Sequence, residues 1–152
     1  MTDKITNVLV LCTGNSARSV LAEVLINALG DGKWRAFSAG SHPSGAVNPL
    51  TLAVLTEKGH AVEGLRSKSW DEFAVPDAPQ MDLVVTVCDN AAGEMCPIWP
   101  GHPSKVHVGF PDPAAATGSD AERLAVFREI YGQIEAKVRR LIALGPERAG
   151  EA

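Results

Sequence analysis

The run Cys12-Thr13-Gly14-Asn15-Ser16-Ala17-Arg18-Ser19 sets a thiol, five intervening residues, an arginine and a hydroxyl between a short apolar segment and an amphipathic one. In such a loop, successive backbone N–H groups can wrap a tetrahedral oxyanion while the following helix directs its positive end inward. Gly14 admits the backbone angles that the nest requires. Arg18 supplies a planar fork able to grip two oxygens at once. The same donors, with the Ser19 hydroxyl, would stabilise a thiolate and make Cys12 a nucleophile at neutral pH. The expected oxyanion-binding set is therefore Thr13, Gly14, Asn15, Ser16, Ala17, Arg18 and Ser19, with Cys12 as the attacking group. A cysteine that merely filled a turn would need neither the Gly-Asn step nor the arginine.

Two further sets carry chemistry. In Phe110-Pro111-Asp112-Pro113 the aspartate is held between prolines and cannot easily enter a helix. It suits a general acid for a leaving oxygen, because a nearby oxyanion would keep part of it protonated. An Asp-Pro step standing alone is an ordinary turn signal. Cys88 and Cys96 bracket Asp89-Asn90-Ala91-Ala92-Gly93-Glu94-Met95, a stretch of low apolar content expected to be mobile, as a thiol relay would need. Zinc binding with His102 and His107 competes, but this cysteine spacing matches no zinc knuckle and the loop already accounts for Cys12. Two unrelated cysteines are the remaining alternative. His42, His60, His102 and His107 share no spacing and are assigned no role. Trp34, Trp70 and Trp99 read as packing residues.

The elements that must position these groups alternate in type. Val8 to Leu11 is a continuous apolar run, the pattern of a strand buried on both faces. From Ser16 onward Leu21, Val24, Leu25 and Ala28 recur at helical spacing until Gly30 and Gly32. Trp34 to Ser38 predicts a second strand, and Asn48 with Pro49 a helix start that closes near Gly59. Asp82 to Val87 predicts a third strand and Lys105 to Val108 a fourth. Ser119 and Glu122 match the capping box of a long last helix, with a stripe of Leu124, Phe127, Tyr131, Ile134, Val138, Leu141 and Ile142 ended by Gly145-Pro146. Alternating strands and helices imply an α/β fold, a single doubly wound four-stranded parallel sheet with helices on both faces. Such sheets bind ligands beyond the carboxyl ends of their strands. Cys12, Cys88 and Asp112 follow the first, third and fourth strands, so an order placing these side by side brings them to one rim.

Length and charge narrow the function. The 152 residues suit one domain, 1–145, followed by a polar tail, 146–152. A net charge of −4 gives no general attraction to nucleic acid or anionic lipid, so neither is an expected partner. The apolar run near the start is too short for a signal segment or a spanning helix, and a cytoplasmic location is expected. Three cysteines in a reducing compartment argue for redox or metal chemistry over a disulfide framework.

Val8 to Ser19, Ser38-Ala39-Gly40, Asp82 to Cys88, Cys96-Pro97 and Asp112-Pro113 together resemble the arsenate reductases of the low-molecular-weight phosphotyrosine phosphatase superfamily, over residues 5 to about 144. The Cys12 loop is common to the phosphatases of that superfamily, whereas the Cys88 and Cys96 pair resembles the reductase branch. Those phosphatases usually carry aromatics after the Asp-Pro step, where this chain has Ala114-Ala115-Ala116. The resemblance implies that Cys12 attacks arsenate, that Asp112 protonates the departing oxygen, and that Cys88 then attacks Cys12 as arsenite leaves. Cys96 would next attack Cys88, and thioredoxin, or glutaredoxin with glutathione, would reduce the resulting disulfide. In thioredoxin-coupled relatives the relay cysteines are typically one residue closer, and some relatives have another cysteine where Ala17 stands. Some also bind potassium beside the loop, at positions resembling Asn15, Glu23, Ser38 and Lys68; an ammonium at Lys68 could substitute, so no metal and no cofactor is expected. A phosphatase and a non-catalytic oxyanion sensor are the alternative functions.

Overall fold

The structure, a computed structural model, describes residues 5–30, 32–73, 75, 77–78, 80–87, 104–110, 113 and 117–145. The expected site residues Cys88, Cys96 and Asp112, together with His102, Trp99, Ala114 to Ala116 and the tail 146–152, lie outside them.

Four strands, β1 (Thr6–Cys12), β2 (Trp34–Gly40), β3 (Leu83–Thr86) and β4 (Ser104–His107), form one sheet in the order β2-β1-β3-β4. All neighbours are parallel, with Cys12 opposite Gly40 and Leu11 opposite Thr86. Strands one, three and four therefore do lie side by side, and β1 is an inner strand. Its Val8, Leu9, Val10 and Leu11 are completely buried, which accounts for the unbroken apolar run.

Side chains alternate across the sheet with period two. Val8, Val10, Cys12, Ala36, Leu83 and Val85 face a cluster built with α1 (Arg18–Leu29), α2 (Pro49–Glu57) and α3 (Asp120–Leu144). Leu9, Leu11, Ala39 and Val84 face a smaller cluster closed by Phe73 and Met81, with Phe37 and Trp70 at its edge. Among the described residues three α-helices lie on one face and the 3-10 turn Trp70–Phe73 on the other. No helix of the described residues is long and apolar enough to cross a membrane.

Helix starts follow the sequence signals. The Asn48 carboxamide oxygen accepts from the Leu50 N–H at 2.9 Å with Pro49 at the first helical position. The Ser119 hydroxyl and the Glu122 carboxylate complete a reciprocal capping box. On α3 the buried stripe is Phe127, Ile130, Tyr131, Ile134, Val138 and Leu141. Helix α1 departs from expectation by beginning at Arg18, two residues beyond Ser16. Asn15 holds φ at 46° and Ala17 holds φ at −137°, so the backbone between them stays in the loop.

Candidate active site

Strand β1 delivers Cys12 to the carboxyl rim of the sheet, where its thiol is 4% exposed and in no disulfide. The chain then turns through Thr13 to Ala17 before α1 begins, and its carbonyls are tied from outside. The Thr13 oxygen accepts from the His42 N–H at 2.9 Å. The Gly14 oxygen accepts from the Ser44 N–H and the Ser67 hydroxyl, each at 3.0 Å. The Ser16 oxygen accepts from the Asn48 N–H at 3.0 Å and the Thr51 hydroxyl at 2.9 Å.

No peptide bond among the described residues is cis. In a trans peptide the N–H points opposite to the preceding carbonyl. Pinning the carbonyls of Thr13, Gly14 and Ser16 outward therefore turns the N–H groups of Gly14, Asn15 and Ala17 to the inner side. Among the described residues, no N–H of Gly14, Asn15, Ser16 or Ala17 donates within the chain. Ala17 likewise gives α1 no side-chain cap.

Side chains brace the same loop. Asn15 is wholly buried, with its amide nitrogen donating to the Ser19 hydroxyl at 2.9 Å and the Ser38 hydroxyl at 3.0 Å. Its carboxamide oxygen accepts from the Lys68 N–H at 2.9 Å. Both ends of the carboxamide are satisfied, which offsets the cost of the left-handed backbone at a residue type that tolerates it. Because Ser19 accepts from Asn15, its own proton remains available to the loop interior. Gly40 lies against the outer wall, where a Cβ would stand 2.4 Å from the Thr13 oxygen, so no side chain fits there.

The Ser38 hydroxyl donates to Glu23 at 2.6 Å, and the Lys68 ammonium lies 3.8 Å from the same carboxylate oxygen. Only 11% of the Lys68 side chain and 16% of Glu23 are exposed. Burial holds the Lys68 pKa below its ordinary value, against the opposing pull of the Glu23 carboxylate. A potassium ion of the kind some relatives bind does not fit these residues, since a lysine ammonium provides the positive charge beside Glu23. Among the described residues no group of three or more His, Cys, Asp or Glu could hold a metal ion.

Arg18 opens α1 and reaches across the rim, donating from Nη1 to the Phe110 carbonyl oxygen at 3.0 Å. Phe110 stands two residues before Asp112 in the sequence. His107 hydrogen-bonds the Thr86 hydroxyl through Nδ1 at 2.7 Å, and His60 bonds the Tyr131 hydroxyl through Nε2 at 2.7 Å. Trp34 is buried and Trp70 packs at the edge of the smaller cluster. Reading the sequence missed Thr51 and Ser67. Their only signal is a hydroxyl on a residue remote in sequence from the loop, which no spacing rule detects.

Together, a thiol ending an inner parallel strand and inward amides leading into a helix give an α/β protein with a cysteine at the head of its first strand-to-helix loop. The family model for low molecular weight phosphotyrosine protein phosphatase matches residues 7–148. An arsenate reductase of Halalkalibacterium halodurans is 40% identical over 136 residues, 89% of this chain and 94% of that protein. The crystal structure of arsenate reductase from Archaeoglobus fulgidus is 29% identical with a TM-score of 0.70, covering 90% of this chain and 98% of that one. A structure of an arsenate reductase in the phosphate binding state is 28% identical with a TM-score of 0.66, over 91% of this chain and 98% of that one. The chain belongs to the low molecular weight phosphotyrosine protein phosphatase family and, within it, stands with the arsenate reductases.

Proposed function

We propose that the chain is an arsenate reductase in which Cys12 is the nucleophile and Cys88 and Cys96 form the thiol relay. The observation that carries the oxyanion chemistry is the set of inward-turned N–H groups between Cys12 and α1. They suit a tetrahedral anion, with Arg18 adding a charged fork to its oxygens. Phosphate and arsenate share this shape and charge, and the relative caught in a phosphate binding state is consistent with the same use here.

In the proposed sequence the Cys12 thiolate forms a bond to arsenic(V) while one arsenate oxygen leaves as water, with Asp112 giving it a proton. Cys88 then attacks the Cys12 sulfur. The sulfur–arsenic bond breaks, its electron pair stays on arsenic, and arsenite departs as arsenic(III), leaving a Cys12–Cys88 disulfide. Cys96 attacks Cys88, which frees Cys12 and moves the disulfide to Cys88–Cys96. An external dithiol, thioredoxin or glutaredoxin with glutathione, reduces it. The family name supports a second reading, a phosphatase, in which water instead of Cys88 would release the Cys12 adduct.

The test supplies arsenate with thioredoxin or glutaredoxin in turn and follows reductant oxidation, alongside hydrolysis of an aryl phosphate. Cys88→Ser should stop multiple turnover, and Cys96→Ser should accumulate a Cys12–Cys88 disulfide seen by mass spectrometry. If both variants reduce arsenate at the wild-type rate, the relay is wrong. Brisk aryl phosphate hydrolysis without arsenate reduction would establish the phosphatase instead.

A further inference from the structure

Two hydroxyls that no catalytic role requires meet the oxyanion loop from its outer side, on segments far from it in sequence. Ser67 donates to the Gly14 oxygen at 3.0 Å and accepts from the Gly45 N–H at 3.3 Å, tying three segments together. Thr51, wholly buried on α2, donates to the Ser16 oxygen at 2.9 Å. Each of these carbonyls also accepts one backbone N–H, from Ser44 and from Asn48. A carbonyl oxygen has two lone pairs, so both acceptors are saturated by one amide and one hydroxyl each.

Resting on the oxyanion-loop reading above, we propose that Ser67 and Thr51 are positioning residues, whose hydroxyls fix the Asn15 and Ala17 N–H groups toward the anion. Without its hydroxyl, each carbonyl keeps one partner and gains rotational freedom about the peptide plane. A peptide that swings exchanges an inward donor for an inward acceptor, which repels an oxyanion. The loop grips the anion's oxygens both before and during attack by Cys12. Loosening it therefore weakens substrate and transition state together, so KM rises while kcat changes little.

The experiment uses the full chain with Ser67→Ala and Thr51→Val, which remove the hydroxyls, and Ser67→Thr and Thr51→Ser, which retain them. KM and kcat for arsenate are measured, together with the rise in melting temperature on adding inorganic phosphate. Ser67→Ala and Thr51→Val should each raise KM by roughly three- to tenfold, the size expected for one neutral hydrogen bond, and diminish the phosphate-induced rise. The hydroxyl-retaining variants should stay within about twofold of wild type. Unchanged KM in folded Ser67→Ala overturns the proposal, and so does an equal loss in Ser67→Thr, which would point to shape instead of the hydrogen bond. Ser67 lies outside regular structure, so its alanine variant decides the matter even if Thr51→Val fails to fold. A wild-type protein that phosphate does not stabilise would overturn the oxyanion reading itself, and this inference with it.

Discussion

The rim around Cys12 and the helical layer beneath it are held by different forces. Five polar side chains are buried among the described residues: Asn15, Ser19, Ser38, Thr51 and Thr86. The first four bond to the oxyanion loop or to the residues bracing it, while the layer of α1, α2 and α3 is packed mostly from aliphatic side chains. Hydrogen bonds are directional and fix where each amide points; apolar packing is not directional and fixes how stable the domain is. Changes at the rim should therefore alter anion chemistry at little cost in stability, and changes in the helical layer should do the reverse.

The sharpest test of that division is Cys12→Ser. A serine fits the same space, but its hydroxyl is far too weakly acidic to attack as an anion. Arsenate reduction should fall by about a thousandfold or more, as for other nucleophile removals. Unfolding free energy in urea should change by less than about 1 kcal/mol. A large loss of stability would mean that the rim also carries the fold.

Ile134→Ala probes the other side. Ile134 is wholly buried on α3 and lines an apolar cleft with Val10, Val85 and Leu141. Truncation should destabilise the protein by about 2 to 5 kcal/mol, the usual cost of deleting a buried aliphatic side chain. KM for arsenate should remain at the wild-type value at temperatures where the variant is folded. A raised KM would show that packing in the helical layer reaches the loop.

The same division explains what could be read from sequence. Strand β1 was legible because four consecutive buried residues leave no polar interruption, and the helix starts at Asn48 and Ser119 because a cap is a local pattern. The placement of Cys12 and Arg18 on one loop was legible for the same reason, since both lie within one strand-loop-helix unit. The start of α1 was read two residues early, because a helical apolar period does not reveal that Asn15 and Ala17 leave the helical region. Strand β1 also extends past the apolar run to Thr6 and Cys12, where register with Trp34 and Gly40 recruits polar ends. Ser67 and Thr51 were illegible because their partners, Gly14 and Ser16, are 53 and 35 residues away and the segment around Ser67 has no periodicity. Attention to Glu23, Ser38 and Lys68 came from the family resemblance; their spacing alone carries no such signal.

The smallest expected effect comes from a polar contact within the helical layer, and it bears on whether polar groups there serve stability alone. Tyr131, 5% exposed on α3, shares a 2.7 Å hydrogen bond with His60 just beyond α2, and the Lys58 ammonium lies 5.6 Å from its ring centre. Burial raises the Tyr131 pKa above its ordinary 10.0; the Glu135 carboxylate adds to the rise and Arg139 opposes it. The folded protein thus keeps the phenol neutral at a pH where the unfolded chain has begun to lose its proton. Folding then holds more protons than unfolding, so this contribution to stability is complete below pH 10 and is lost as pH climbs through the raised value. Tyr131→Phe removes the hydrogen bond and should cost about 1 kcal/mol at neutral pH. It also removes the titration, so the gap in urea midpoint between wild type and variant should narrow as pH passes 10. KM for arsenate should not move. A gap that stays constant up to pH 11 would show that the phenol titrates alike in both states, and a shift in KM would place Tyr131 in the mechanical support of the loop.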